Sequence, residues 1–327
     1  MAEKRQSSLK KITDKAIIVA VFVILILYAI SMLLPLVWGF IMSLKPQDEV
    51  TYAMRTLEEN WAILFGATDS RFDQDRSLLN NYLRVIEVLQ PIQTSDSYFA
   101  GIKLDKLVNV TEIDYFWEIL LNTILYTVGG AFIMAIVPCI IGYMCAKYLY
   151  KFSSVLVGAA LFAMIMPSVG TYPVELTLIR QLGLYNSIVG NWIQTFSFTG
   201  SYFFVYIAFF SGVDQTYTEA AEIDGASQLR VLIQIIIPLA SKMIATVFLI
   251  QFIHRWNDYQ APLLYLPTVP TLSYALFMRI GVVSSDAIND LPGKCAGCLM
   301  LALPIIVLFV AFRDKIMGNV SMGGLKG

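Results

Sequence analysis

Four polar side chains, His254, Arg255, Asn257 and Asp258, interrupt an apolar stretch running from about Met243 to Leu266. Ionisable groups are costly among lipid chains, so inside a span they face one another or a cavity and mark pathways. Counted from Lys242 at 1.5 Å per residue, His254 lies roughly 18 Å along a helix, beyond the membrane midplane. Arg255 and Asp258 have the i, i+3 spacing that lets two charges pair on one face, and His254 and Asp258 are one turn apart. Two chemistries fit. Asn257, Asp258 and Gln260, with Trp256 beside them, would hydrogen-bond a polar solute in transit, with Tyr172, Tyr202 and Tyr206 supplying ring faces. Alternatively, Arg255 and Asp258 form an internal ion pair that locks helix packing. Tyr and Trp collect at membrane interfaces in any case, which accounts for most of the 17 tyrosines. Glu175 reads as a solvated rim residue.

Other candidate chemistry is thinner. Cys295 and Cys298 form a C-x-x-C, a redox or metal spacing, but no second Cys or His pair stands nearby. They read as small residues that let helices approach. No G-x-x-x-x-G-K occurs, so no phosphate-cradling loop is available. With a single His and no nucleophile–base pair at membrane depth, the chain is expected to be non-catalytic. The net charge of −1 argues against a nucleic-acid partner.

The elements that must position these residues are transmembrane helices. The 327 residues are 57% hydrophobic and only 14% charged, against about a quarter charged in soluble domains. Ala16–Leu44, Ile119–Ala146, Phe152–Val174, Gln181–Val213 and Cys295–Phe312 carry no charged residue, and about 20 residues of helix span the hydrocarbon core. With the interrupted stretch, this predicts an all-α polytopic membrane protein of six transmembrane helices. The first run is too long for a signal-peptide core and lacks a cleavage site. Orientation follows Lys and Arg in the short flanks. Twelve (Lys4, Arg5, Lys10, Lys11, Lys15, Lys147, Lys151, Arg230, Lys242, Arg313, Lys315, Lys326) fall on the side of the termini, against Arg180, Arg279 and Lys294 on the other. Both termini are therefore expected in the cytoplasm. The organisation reads as a cytoplasmic tail (1–15), a first span (16–44), one long extracytoplasmic loop (45–112), a transmembrane core of five spans (113–317) and a cytoplasmic tail (318–327). Within the loop, Leu78 to Gln90 has helical periodicity. Pro35, Pro138, Pro167 and Pro304 fall inside spans, where kinks are tolerated.

Inside the core, the cytoplasmic loop 214–240 contains EAAEIDGASQLRVLIQIIIP, Glu219 to Pro238. Thr216 and Glu219 fit a capping box, starting a helix near Tyr217. Ala220 and Ala221 are small enough for close approach to a partner, and Glu219, Glu222 and Asp224 make the segment acidic. Gly225 is placed to end the helix at positive φ. Ser227 is placed to cap a second helix, Gln228 to Ile237. The unit reads as a knob for a soluble partner, or else as a plain interfacial connector.

These residues also carry a resemblance. Glu219, Ala220, Ala221, Gly225, Ile235, Ile237 and Pro238 resemble the EAA loop of ABC importer permeases, with Ile237 where the pattern usually has Leu. Leu34 to Lys45, Thr56 to Trp61, Asn122 to Thr127, Gln181 to Gly190, Arg255 to Leu266 and Gly318 to Gly327 resemble further segments of the carbohydrate branch, similar to the second membrane subunit of maltose-type importers. The loop from Gly66 to Asp114 is longer than usual there, and VDQTY replaces a proline-containing lead into the motif. The resemblance implies a multi-pass subunit of the bacterial plasma membrane, surrounded by lipid. Its partners would be a homologous second permease, a cytoplasmic ABC ATPase dimer and an extracytoplasmic sugar-binding protein. The cargo would be a sugar, with oligosaccharide favoured. No cofactor would be bound by this chain, ATP and Mg residing on the ATPase. Glu219, Ala220, Ala221, Asp224, Gly225 and Pro238 would couple to that ATPase. Trp256, Asn257, Asp258, Gln260, Tyr172 and Tyr202 would line the substrate pathway. A non-sugar ABC permease and an ion-coupled secondary carrier are the alternatives; the latter is disfavoured because one interrupted helix has no counterpart in another half.

Overall fold

The computed structural model describes residues 2–56, 62–65, 67, 79–89, 97–99, 102–104, 112–148, 151–166, 170–278 and 290–320. Most of segment 56–61, the loop 279–289, the tail 321–327, Pro167 and the side chain of Glu222 lie outside the described residues. The chain divides into two compact units, Met1–Val88 with Ala287–Met300, and Leu89–Asp286 with Leu301–Gly327.

In the first unit, helix α1 (Ala2–Ser43) is continuous, so the basic stretch expected as a loose tail is helical from Ala2 onward. Its apolar side chains, such as Phe22 and Ile24, are more than 60% exposed, as a helix bathed in lipid requires. A helix leaves its last carbonyls without intrahelical donors. Here Asn81, on α3 (Asn80–Val88), donates through Nδ2 to Ser43 O and Lys45 O, both at 2.8 Å. The periodicity between Leu78 and Gln90 thus marks a real but shorter helix. On α2 (Gln47–Arg55), buried Glu49 accepts from Lys45 at 3.3 Å. Arg84 grips Asp290 with two bonds, 2.9 and 3.2 Å. Asp290 also caps the helix that follows it, accepting from Gly293 N at 3.1 Å.

The second unit begins with a short antiparallel hairpin, β1 (Ser97–Phe99) and β2 (Ile102–Leu104). This is an exception to the all-α expectation. Next come α4 (Glu112–Lys147), α5 (Lys151–Ile165), α6 (Thr171–Gln181), α7 (Ile188–Gln194) and α8 (Ser201–Ser211). The segment α9 (Thr216–Ile223), α10 (Gln228–Val231) and α11 (Ile237–Leu239) leads into α12 (Ser241–Trp256). Two short helices, α13 (Gln260–Tyr265) and α14 (Leu272–Phe277), precede α15 (Leu291–Val320).

Among the described residues, three helical stretches, Lys15–Ser43, Phe116–Lys147 and Leu291–Phe312, are long and apolar enough to cross a membrane. A fourth crossing forms if Gln228–Leu239 and Ser241–Trp256, bent by 71° at their junction, count as one. The charge-free runs 152–174 and 181–213, expected as single spans, are instead broken. Gly170 (φ 83°) precedes α6, and Gly183 (φ 69°) and Asn186 (φ 59°) turn the chain before α7. Left-handed backbone is open to Gly and tolerated by Asn but cannot continue a helix. Hydropathy saw only the missing charge. The core of this unit joins Ala135, Cys139 and Tyr143 of α4 to Tyr206 and Phe210 of α8 and Val247 of α12, and reaches Ala221 of α9.

Candidate functional site

The segment from α9 to α11 is built from its caps. Among the described residues, α9 begins at Thr216, and its cap is Asp214: Thr216 N–H donates to Asp214 Oδ1 at 3.1 Å. This corrects the capping box expected from Thr216 and Glu219, because the side chain preceding the helix reaches the orphan amide first. That bond from the Thr216 backbone, with Lys147 as a lesser contributor, holds the Asp214 carboxyl below the usual carboxylate range. A depressed pKa means that the cap stabilises α9 at neutral pH and is lost as pH falls through the lowered value. Hydrogen exchange of the Thr216–Glu219 amides, taken relative to the unstructured-chain rate at each pH, should therefore quicken below about pH 4 in the native chain. In Asp214→Ala it should already be fast at pH 7 and show little of that acid response.

At the other end, Gly225 adopts φ 78° as expected. Ala226 N–H reaches back to Ala221 O at 2.9 Å, closing the turn with the helix's own unpaired carbonyl. Ser227 then caps α10, accepting from Arg230 N. Past α10 the helix widens into a π turn, Leu232–Ile236, in which Ile237 N–H bonds Leu232 O. Pro238 explains it. Its ring has no N–H and collides with the carbonyl four residues back in a regular helix, and one wider turn relieves both problems. The sequence reading missed this turn.

The end of α4 holds both feet of the unit. Lys147 Nζ donates to Val213 O, just before α9, and Tyr148 OH donates to Gln228 Oε1, just after it. Glu219, Ala220, Asp224 and Gly225 are exposed, as is Pro238. Ala221 is buried at 9% exposure in the core cluster. The two alanines expected on one docking face thus divide: Ala220 points outward and Ala221 anchors inward. Ile223, at 86% exposure, and Tyr217, at 56%, are apolar side chains that α9 leaves exposed, which sequence reasoning overlooked.

The second cluster surrounds Arg255, which is 5% exposed although charged. Its guanidinium lies 4.1 Å from the centre of the Tyr126 ring. Nε donates to Tyr126 O at 3.4 Å and a terminal nitrogen donates to Asn191 Oδ1. Gly130 makes the niche, since a Cβ there would overlap the guanidinium. The expected Arg255–Asp258 ion pair is not formed. The helix ends at Trp256 with Asn257 as its cap, so the i, i+3 geometry does not extend to Asp258. Asp258 Oδ1 instead caps α13, accepting from Gln260 N at 3.0 Å and Ala261 N at 3.1 Å, while Oδ2 accepts from Tyr126 OH at 2.8 Å. Tyr126 thus stands between the two charges.

Of the remaining pathway candidates, Asn257 and Gln260 are exposed, as is His254. Trp256 is buried, with Nε1 donating to Leu301 O at 3.0 Å. Tyr172 is 53% exposed on α6, and Tyr202 packs at the edge of the core cluster. Glu175 is no solvated rim residue. Its Oε2 accepts from Tyr265 OH at 2.8 Å and from Gln194 Nε2 at 3.3 Å. Gln194 Oε1 accepts in turn from Asn191. Asn186 N–H donates to Tyr265 O at 2.9 Å. The separate segments Asn122–Thr127, Gln181–Gly190 and Arg255–Leu266 therefore meet in one polar network. Cys295 and Cys298 carry free thiols.

Residues 139–314 match the family described as binding-protein-dependent transport system inner membrane component. The chain is 28% identical over 211 residues to the melibiose/raffinose/stachyose import permease protein MelC of Bacillus subtilis, covering 63% of this chain and 75% of that one. It is 23% identical over 310 residues to the diacetylchitobiose uptake system permease protein NgcG of Streptomyces coelicolor, covering 92% and 86%. Among solved structures, a chain of a bacterial ABC transporter involved in the import of the acidic polysaccharide alginate superposes with a TM-score of 0.65 at 23% identity, covering 92% of this chain and 97% of that one. At that identity, the last likeness shows the fold alone.

Proposed function

Because this chain belongs to the binding-protein-dependent transport system inner membrane component family, multi-pass proteins of the bacterial plasma membrane, we propose that it is one permease subunit of an ATP-driven sugar importer. It carries an oligosaccharide inward, and its coupling segment takes the stroke of a separate ATPase dimer. That dimer holds ATP and Mg. A homologous second permease completes the pore, and an extracytoplasmic binding protein delivers the sugar. Six spans are proposed, with both termini inside. At 1.5 Å per residue, α5 and α8 are short of the ~30 Å hydrocarbon core. The adjoining α6 and α7 make up the remainder of those two crossings.

The observation that carries the reading is the construction of the coupling segment. The helix α9 exposes Glu219, Ala220 and Ile223, yet is rooted by Ala221 in the core shared by α4, α8 and α12. Close-packed cores transmit displacement with little compliance. A push on the exposed face therefore moves the spans. The relatives named for oligosaccharide import support the choice of cargo.

Affinity purification from the native host tests the proposal. An ABC ATPase and a second permease should co-purify, and the reconstituted complex should take up sugar only with ATP. Uptake by this chain alone, driven by an ion gradient, would refute it.

A further inference from the structure

Glu175 is a carboxylate within one of the charge-free runs' flanks, half-buried, and among the described residues no Lys, Arg or His lies within ion-pair distance of it. An ionised carboxylate can accept about four hydrogen bonds. Here Oε2 takes two, from Tyr265 and Gln194, and these fix its orientation. Its Oε1 accepts no hydrogen bond among the described residues. Such a group cannot face lipid chains at a tolerable cost and marks a functional position. One turn earlier on the same face of α6, Tyr172 presents a ring that is 53% exposed. The nearest cation in the hydrogen-bond network, Arg255, is reached only through Gln194 and Asn191. An oriented acceptor with negative charge beside an aromatic face suits hydroxyl donors carried on an apolar ring face. It opposes anions.

We infer that Glu175 and Tyr172 form a subsite for the hydroxyls and ring face of an uncharged sugar, and that Glu175 discriminates against sugars bearing a carboxylate. This rests on the sugar-permease reading above and adds the class of cargo. Tyr265 and Gln194 are positioning residues, because they hold the carboxylate from behind.

The test uses the assembled transporter with its binding protein in proteoliposomes, supplied with raffinose, maltotriose or cellobiose, and with trigalacturonic acid as the charged probe. Hydrogen bonds to charged groups are worth about 1.5–3 kcal/mol, so Glu175→Gln should cut uptake of the preferred neutral sugar by roughly tenfold or more. The melting temperature should stay at the wild-type level, because the glutamine carbonyl still accepts from Tyr265 and Gln194. The same variant should raise trigalacturonate uptake relative to the neutral sugar, a reversal that a merely structural role would not produce. Tyr172→Ala should lose uptake, and Tyr172→Phe, which keeps the ring, should restore it. Normal neutral-sugar uptake and unchanged selectivity in Glu175→Gln would overturn the subsite alone. If the wild-type transporter takes up none of the neutral sugars, the sugar reading falls and the subsite with it.

Discussion

Replacing Gly225 by proline is expected to reduce ATP-driven uptake to background while the chain still inserts and assembles with its partners. The reason is local geometry. Gly225 holds φ 78°, and the turn is closed by Ala226 N–H on Ala221 O. Proline is confined to φ near −65°, so the chain cannot leave α9 in that direction and the angle between α9 and α10 is lost. Ala221 would be drawn from the core cluster that links α9 to the spans. Gly225→Ala is a graded control. A side chain in the left-handed region costs roughly 1–2 kcal/mol, enough to weaken coupling without removing the turn. Glu219→Lys tests the outward face separately, since it reverses charge on an exposed position without touching the turn. It too should block uptake, with insertion intact. ATP-dependent uptake and complex recovery on a detergent column report the two halves of the prediction. Wild-type uptake in both Gly225→Pro and Glu219→Lys would remove the docking role.

The largest effect on stability is expected from Arg255→Leu. The guanidinium is 5% exposed, stacked on Tyr126 and bonded to Tyr126 O and Asn191 Oδ1. Its removal leaves Asn191 Oδ1 buried without that donor and Asp258 without its nearby cation. Truncating one member of a buried charged network costs about 3–5 kcal/mol. Arg255→Lys should rescue little, because an ammonium cannot both stack on the ring and span two acceptors. Gly130→Leu should mimic the loss from the opposite wall, since its side chain would occupy the guanidinium's niche. Thermal unfolding of the assembled complex in detergent measures all three. An unchanged midpoint for Arg255→Leu would show that the network adds nothing.

What the sequence disclosed was local. Gly225 at positive φ and Ser227 as a cap follow from residue types whose preference acts within a few residues, and both are present. The periodic stretch after Leu78 is a helix for the same reason. Competition between neighbours was harder to read. Thr216 and Asp214 are both cap formers, and only the fold shows that Asp214 reaches the amide. The π turn arises from the meeting of Pro238 with a helix already committed by Ser227. The broken runs 152–174 and 181–213 were hidden because absence of charge says nothing about φ, and Gly183 and Asn186 leave no trace in hydropathy. Long-range partners were out of reach. Arg255 was paired with Asp258 on spacing, yet it lies on Tyr126, contributed by a distant helix. Glu175 was taken for a rim residue because Tyr265 and Gln194 are distant in sequence.

Everything rests on α9 lying in the cytoplasm and receiving force there. A single cysteine at Ile223, which is 86% exposed, with the four native cysteines replaced by serine or alanine, tests this with a membrane-impermeant maleimide. Labelling should occur only in inside-out vesicles stripped of the ATPase, and rebinding the ATPase should protect the thiol. Labelling of Ile223→Cys from outside intact cells would contradict it.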